Sequence, residues 1–150
     1  QAAGFAEADP TLDLDGTDAA QKLALAARLL FREETDWGRI DRRGIDGLDP
    51  LFATRAAREG KAVRLVATAR RTERGLAFGV EPRVLPFAHP LAQARDEENR
   101  VVIHVDGRAP VVLAGKGAGR WPTTESVFAD IDDLARGRRT DETARGAALA

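Results

Sequence analysis

A chain of 150 residues with 43% hydrophobic side chains is the size of one ordinary domain and can fill a core of its own. Its 23 basic and 24 acidic residues nearly cancel, leaving no net field to draw nucleic acid or an anionic membrane, and without cysteine neither a disulfide frame nor a thiolate metal site can form. No apolar run approaches the roughly 20 residues that cross a bilayer, and there is no signal-like start, so a soluble cytoplasmic protein is expected.

In chain order, residues 1–16 read as an irregular loop rich in acid, with Pro10 fixing one bend and Gly16 permitting another. Asp15 or Thr17 can cap a helix that ends near Phe31 to Glu33, its apolar residues Leu23, Ala26, Ala27 and Leu30 recurring at helical spacing. Weak alternation from Trp37 to Ile45 suggests a strand, and Asp49-Pro50 opens a second helix that Gly60 closes. Two Val- and Ala-rich strands, 62–70 and 76–85, are separated by a turn at Glu73 to Gly75. His89-Pro-Leu-Ala92 interrupts the pattern with one helical turn. Val101–Val105 and Val111–Ala114 flank Asp106-Gly107, a hairpin signal because both residues tolerate positive φ.

After Gly115-Lys-Gly-Ala-Gly119, Thr123 or Thr124 caps a last helix with Val127, Phe128, Ile131 and Leu134 as its apolar stripe. Residues 136–150 are polar, arginine-rich and aperiodic, and are expected to form a flexible tail behind a domain at 1–135. Runs of strands set between helices predict an α+β fold: a mixed, largely antiparallel sheet with helices packed mainly on one face.

The densest chemistry lies at the start. Between Glu7 and Lys22 stand five carboxylates, Glu7, Asp9, Asp13, Asp15 and Asp18, ahead of one of only three lysines; the other basic residues are arginines. Asp18 and Lys22, at i and i+4, share a helix face. Either they form an ordinary surface ion pair, or the alanines and leucines around them press Lys22 toward an interior where an amine becomes a usable proton carrier. The acids before them either form a solvated loop at the positive helix end or converge on a cationic ligand group; their spacing is not that of a calcium loop. The Gly115–Gly119 stretch is either a tight strand-to-helix turn or an anion-holding one, without the Gly-x-Gly-x-x-Gly spacing. His89 fits a turn and His104 an ordinary strand position.

The segment from Gly4 to Lys22 closely resembles the substrate-site segment of homoserine dehydrogenases, where an acid-rich loop runs into a helix bearing an aspartate and a lysine. The resemblance continues through Arg43-Gly-Ile45, Ala57-Arg-Glu-Gly60, His89-Pro-Leu-Ala92, Asn99 and Gly115–Gly119 with Pro122-Thr123. It implies NAD- or NADP-dependent interconversion of homoserine and aspartate 4-semialdehyde, in threonine and methionine biosynthesis. Lys22 would move the proton at the substrate oxygen, oriented by Asp18; Glu7 and Asp13 would bind substrate, Glu7 at its ammonium group. Gly115, Gly117, Ala118 and Gly119 would turn beside the cofactor.

Arg43 departs from the acid many members carry before Gly-Ile, and Trp121 adds bulk after the Gly-rich turn. The resemblance further implies that the nucleotide is bound mainly by a domain absent from this chain. The monovalent cation of the family uses residues outside this chain, so no metal ligand is expected. The likeness implies a homodimer, with the last helix packed against the nucleotide-binding domain and no activity for this chain alone. Gln1 as first residue and the lack of methionine likewise suggest a piece of a longer protein. The alternative is a non-catalytic amino-acid-binding or assembly module built on the same fold.

Overall fold

The computed structural model describes residues 9–96, 98–116 and 120–136. A short helix α1 (Thr11–Leu14) leads into α2 (Thr17–Phe31), and a 3₁₀ turn (Trp37–Arg39) precedes α3 (Pro50–Arg58). Strands β1 (Lys61–Thr72) and β2 (Gly75–Pro86) follow, then a second 3₁₀ turn (Pro90–Gln93), strands β3 (Glu98–Ile103) and β4 (Val111–Lys116), and α4 (Arg120–Ala135).

The expected α+β architecture is present, and its strands form two antiparallel ribbons, β1–β2 and β3–β4. The first closes through a two-residue turn with Thr72 opposite Gly75, whose φ of 109° suits glycine. The expected strand at 37–45 is instead the first 3₁₀ turn and a single parallel bridge from Arg42 to Val80. That bridge makes the ribbon locally mixed: Val80 N–H donates to Asp41 O at 2.9 Å and Arg43 N–H to Val80 O at 2.8 Å. Tertiary pairing decides this segment, because its alternation is too weak to hold a strand alone.

The core lies between α2 and one face of β1–β2. Ala20, Leu23 and Ala24 meet Ile40 and Val80, with Leu65, Ala69 and Phe78 packed against them. The period-two alternation sends Arg64, Thr68 and Arg70 of β1 to the other face of the ribbon. Asp49 caps α3 as expected, its Oδ1 accepting from Leu51 N–H at 2.9 Å, with Pro50 at the first helical position. The loop of the second ribbon runs from His104 to Pro110 and contains the Asp106-Gly107 turn, Gly107 having φ 72°. Val127, Phe128, Ile131 and Leu134 of α4 are 52%, 66%, 54% and 79% exposed, so the expected stripe is not used in this chain's core. Of the expected tail, 137–150 lie outside the described residues.

Candidate active site

Helix α2 is two-faced. Thr17, Ala20, Leu23, Ala24 and Ala27 are buried, whereas Asp18, Lys22, Leu25 and Leu29 share the opposite side, Leu25 and Leu29 being 65% and 73% exposed. Lys22 Nζ lies 2.7 Å from Asp18 Oδ2, with side-chain exposures of 64% and 37%. The expectation that Lys22 is pressed into an apolar interior is therefore corrected. The small alanines that suggested it form the buried face, and 3.6-residue periodicity turns Lys22 outward. The pair itself forms, on an open and partly apolar helix face.

From Asp9 onward the expected irregular loop is instead a helical turn, α1, with Asp9 and Asp15 bonded to the adjoining backbone. Asp9 accepts from the Thr11 hydroxyl and from Thr11 N–H, which hold its carboxyl below its ordinary value. Asp15 Oδ1 accepts from Thr17 N–H at 2.8 Å. That backbone bond first, then the Thr17 hydroxyl and the charge of Arg42, lower the Asp15 carboxyl. Gly16, at φ 85°, occupies the N-cap position of α2 without a side-chain cap bond, so Asp15 acts from one residue earlier. Asp13 lies exposed in α1, which packs beside α2. Glu7 lies outside the described residues.

What seats Asp13 and Asp15 is Gly44, inside the Arg43-Gly-Ile45 motif. Ile45 N–H donates to Leu14 O at 2.7 Å, and a Cβ on Gly44 would lie 2.2 Å from Leu14 O and 2.6 Å from Asp15 Cα. The Arg43-Gly-Ile45 motif is thus a backbone cradle under the acids. The nearest signal in sequence was the motif itself, which does not reveal what approaches it.

Gly115 sits in β4 opposite Asn99, with open space around it; Gly117, Ala118 and Gly119 lie outside the described residues. His89 caps the second 3₁₀ turn, Nδ1 accepting from Leu91 N–H at 3.2 Å. His104 falls just past β3 and is exposed, so it is a loop residue and not the expected strand one. Among the described residues no three His, Asp or Glu side chains gather as a metal site, and no helix is long and apolar enough to cross a membrane. The described residues also contain no βαβ unit, so no complete dinucleotide-binding fold lies among them.

The described residues thus form an α+β unit with an aspartate–lysine pair on an open helix face, next to Asp13 and Asp15 seated on a backbone cradle. The homoserine dehydrogenase family model matches residues 1–131, and the chain belongs to that family. It is 34% identical to homoserine dehydrogenase of Bacillus subtilis, over 93% of this chain and 32% of that one. It is 35% identical to that of Pseudomonas aeruginosa, over 94% and 32%. The crystal structure of a homoserine dehydrogenase from Thiobacillus denitrificans superposes with a TM-score of 0.79 at 34% identity, covering 93% of this chain and 32% of that one. The S. aureus homoserine dehydrogenase structure at pH 7.5 gives 0.77 at 32% identity, covering 88% and 33%. The chain thus spans about a third of the length of these relatives.

Proposed function

We propose that this chain is the substrate-binding and catalytic part, with residues 1–135 as its working unit, of an NAD- or NADP-dependent homoserine dehydrogenase that interconverts homoserine and aspartate 4-semialdehyde. The observation that carries the reading is the 2.7 Å Asp18–Lys22 pair on the exposed face of α2, within the segment matched by the family. Bound nicotinamide would accept or return the hydride at the carbinol carbon. As the hydroxyl is oxidised its proton must leave, and Lys22 is the group proposed to take it, or to return it in the reverse direction. Lys22 would take the proton as the neutral amine and be left as the ammonium, which the Asp18 carboxylate one helical turn back holds at 2.7 Å; in the reverse direction that ammonium returns the proton.

Asp13 and Glu7 are proposed to bind substrate, Glu7 at its ammonium group. Gly115, Gly117, Ala118 and Gly119 are proposed to border the cofactor, which a separate domain of the full-length protein would hold. The exposed Leu25 and Leu29 beside Lys22, and the uncovered stripe of α4, are apolar surface of the kind such a domain or the second subunit of a homodimer would cover. On this reading the setting is the cytoplasm and the pathway threonine and methionine biosynthesis. In the full-length protein, homoserine oxidation is followed by the absorbance of reduced nicotinamide. Lys22→Ala is expected to lower kcat by about 10²- to 10⁴-fold. Near-wild-type turnover in that variant would end the proton-transfer assignment.

A further inference from the structure

We propose that Arg64 and Arg100 are positioning residues that lock the substrate-side and cofactor-side parts of this site together through the turn between the two ribbons. The inference rests on the function proposed above and adds to it a pair of residues outside the acid loop and the Gly-rich turn.

Arg64, in β1, sends one Nη2 to two carbonyls, Ala92 O and Ala94 O, both at 3.0 Å. Arg100, in β3, sends Nη1 to Pro90 O at 3.1 Å and to Gln93 Oε1 at 3.1 Å. Two guanidiniums, from two ribbons that share no ladder, therefore grip the same short turn. Arg100 is also paired with Glu98 at 3.2 Å, and that bond is the main cause of the lowered Glu98 carboxyl. Arg64 has no carboxylate within ion-pair reach among the described residues, and the Nε atoms of both arginines are buried without a partner. Half-burying a guanidinium with donors left over is costly, so its carbonyl contacts must contribute enough to keep it there.

The placement of each arginine shows what the grip connects. Next to Arg64, Leu65 faces the opposite side of β1 and packs against the core cluster to which α2, the helix that carries Asp18 and Lys22, contributes Ala20, Leu23 and Ala24. Arg100 stands across the ladder from Ala114, immediately before Gly115. One continuous path of packing and hydrogen bonds thus runs from α2 through β1, the 90–94 turn and β3 to Gly115 in β4. A misplacement of about 1 Å can cost about 10²-fold in rate, so a hinge at this turn that shifts Gly115, the proposed border of the cofactor, relative to Lys22 would degrade the reaction while leaving each binding surface intact.

The test uses full-length protein carrying Arg64→Met or Arg100→Met, with Arg64→Lys and Arg100→Lys as conservative variants should a methionine variant fail to fold. The methionine variants are expected to lose about 10- to 100-fold in kcat with little change in KM for homoserine or for nicotinamide. The lysine variants are expected to recover part of that loss. Hydrogen exchange without ligands provides a readout independent of activity. Arg64→Met should speed exchange not only at Leu91 and Ala92 but also across β3 and β4 up to Lys116.

Wild-type kcat in a folded methionine variant, a loss confined to one KM, or faster exchange restricted to the 90–94 turn would each overturn the coupling. Should the wild-type protein not oxidise homoserine at all, the enzymatic reading fails. The exchange pattern alone then decides whether the two arginines join the ribbons.

Discussion

At the scale of single residues, the candidate site depends on one position where a side chain has no room. A methyl at Gly44 would overlap Leu14 O and the Asp15 backbone, so Gly44→Ala must push the acid loop off its cradle. We expect a loss of about 1–3 kcal/mol in urea unfolding, with a raised KM for homoserine in the full-length protein if Asp13 binds substrate as proposed. Charge at this scale adds a pH dependence. Asp15 is lowered chiefly by Thr17 N–H, and Asp49 chiefly by Leu51 N–H and then by Arg55, both from an ordinary value of 3.8. Carboxylates depressed in the folded state contribute stability that is complete above their unfolded value and lost as pH falls through the folded one. Unfolding midpoints should therefore decline on the acid side, below about pH 4, and Asp49→Asn should make that decline shallower, measured by urea titration across pH.

At the scale of elements, α2 carries the argument, because one face of it builds the core and the other carries the reactive pair. Val80 is the residue that joins the parts: 2% exposed, it meets α2, bridges to Arg42 and lies 3.2 Å from where a Gly16 Cβ would stand. Val80→Ala is expected to cost about 2 kcal/mol by thermal or denaturant unfolding, a large effect for two methyl groups because α2, β2 and the 37–42 segment all lean on it. Elements with a strong local signal were legible in sequence. Asp49-Pro50 marked the start of α3, the Glu73–Gly75 turn marked the β1–β2 hairpin, and His89-Pro marked a single helical turn. The stretch from Trp37 to Ile45 is not the strand its weak alternation suggests, because its form depends on Val80 and Leu14, which are distant in sequence.

At the scale of the whole molecule, this chain corresponds to about a third of its relatives and leaves large apolar side chains uncovered on α2 and α4. An enzyme part and an independent binding module differ in a measurable way. Calorimetry on this chain alone is expected to show little heat with homoserine, since among the described residues Lys22 and Asp18 lie on an exposed helix face, with side chains 64% and 37% exposed. Clear saturable binding would favour the amino-acid-binding module instead.

The local sequence determined which residues could do chemistry and which elements would carry them. An i, i+4 spacing puts Asp18 and Lys22 on one face whatever surrounds the helix, and their pairing at 2.7 Å follows from that geometry. Only the tertiary structure decided that this face points outward, that Gly44 seats the acids, and that Arg64 and Arg100 meet on one turn. Each of these depends on which distant segment arrives beside the residue, and helical or strand periodicity records only a residue's own side of its element.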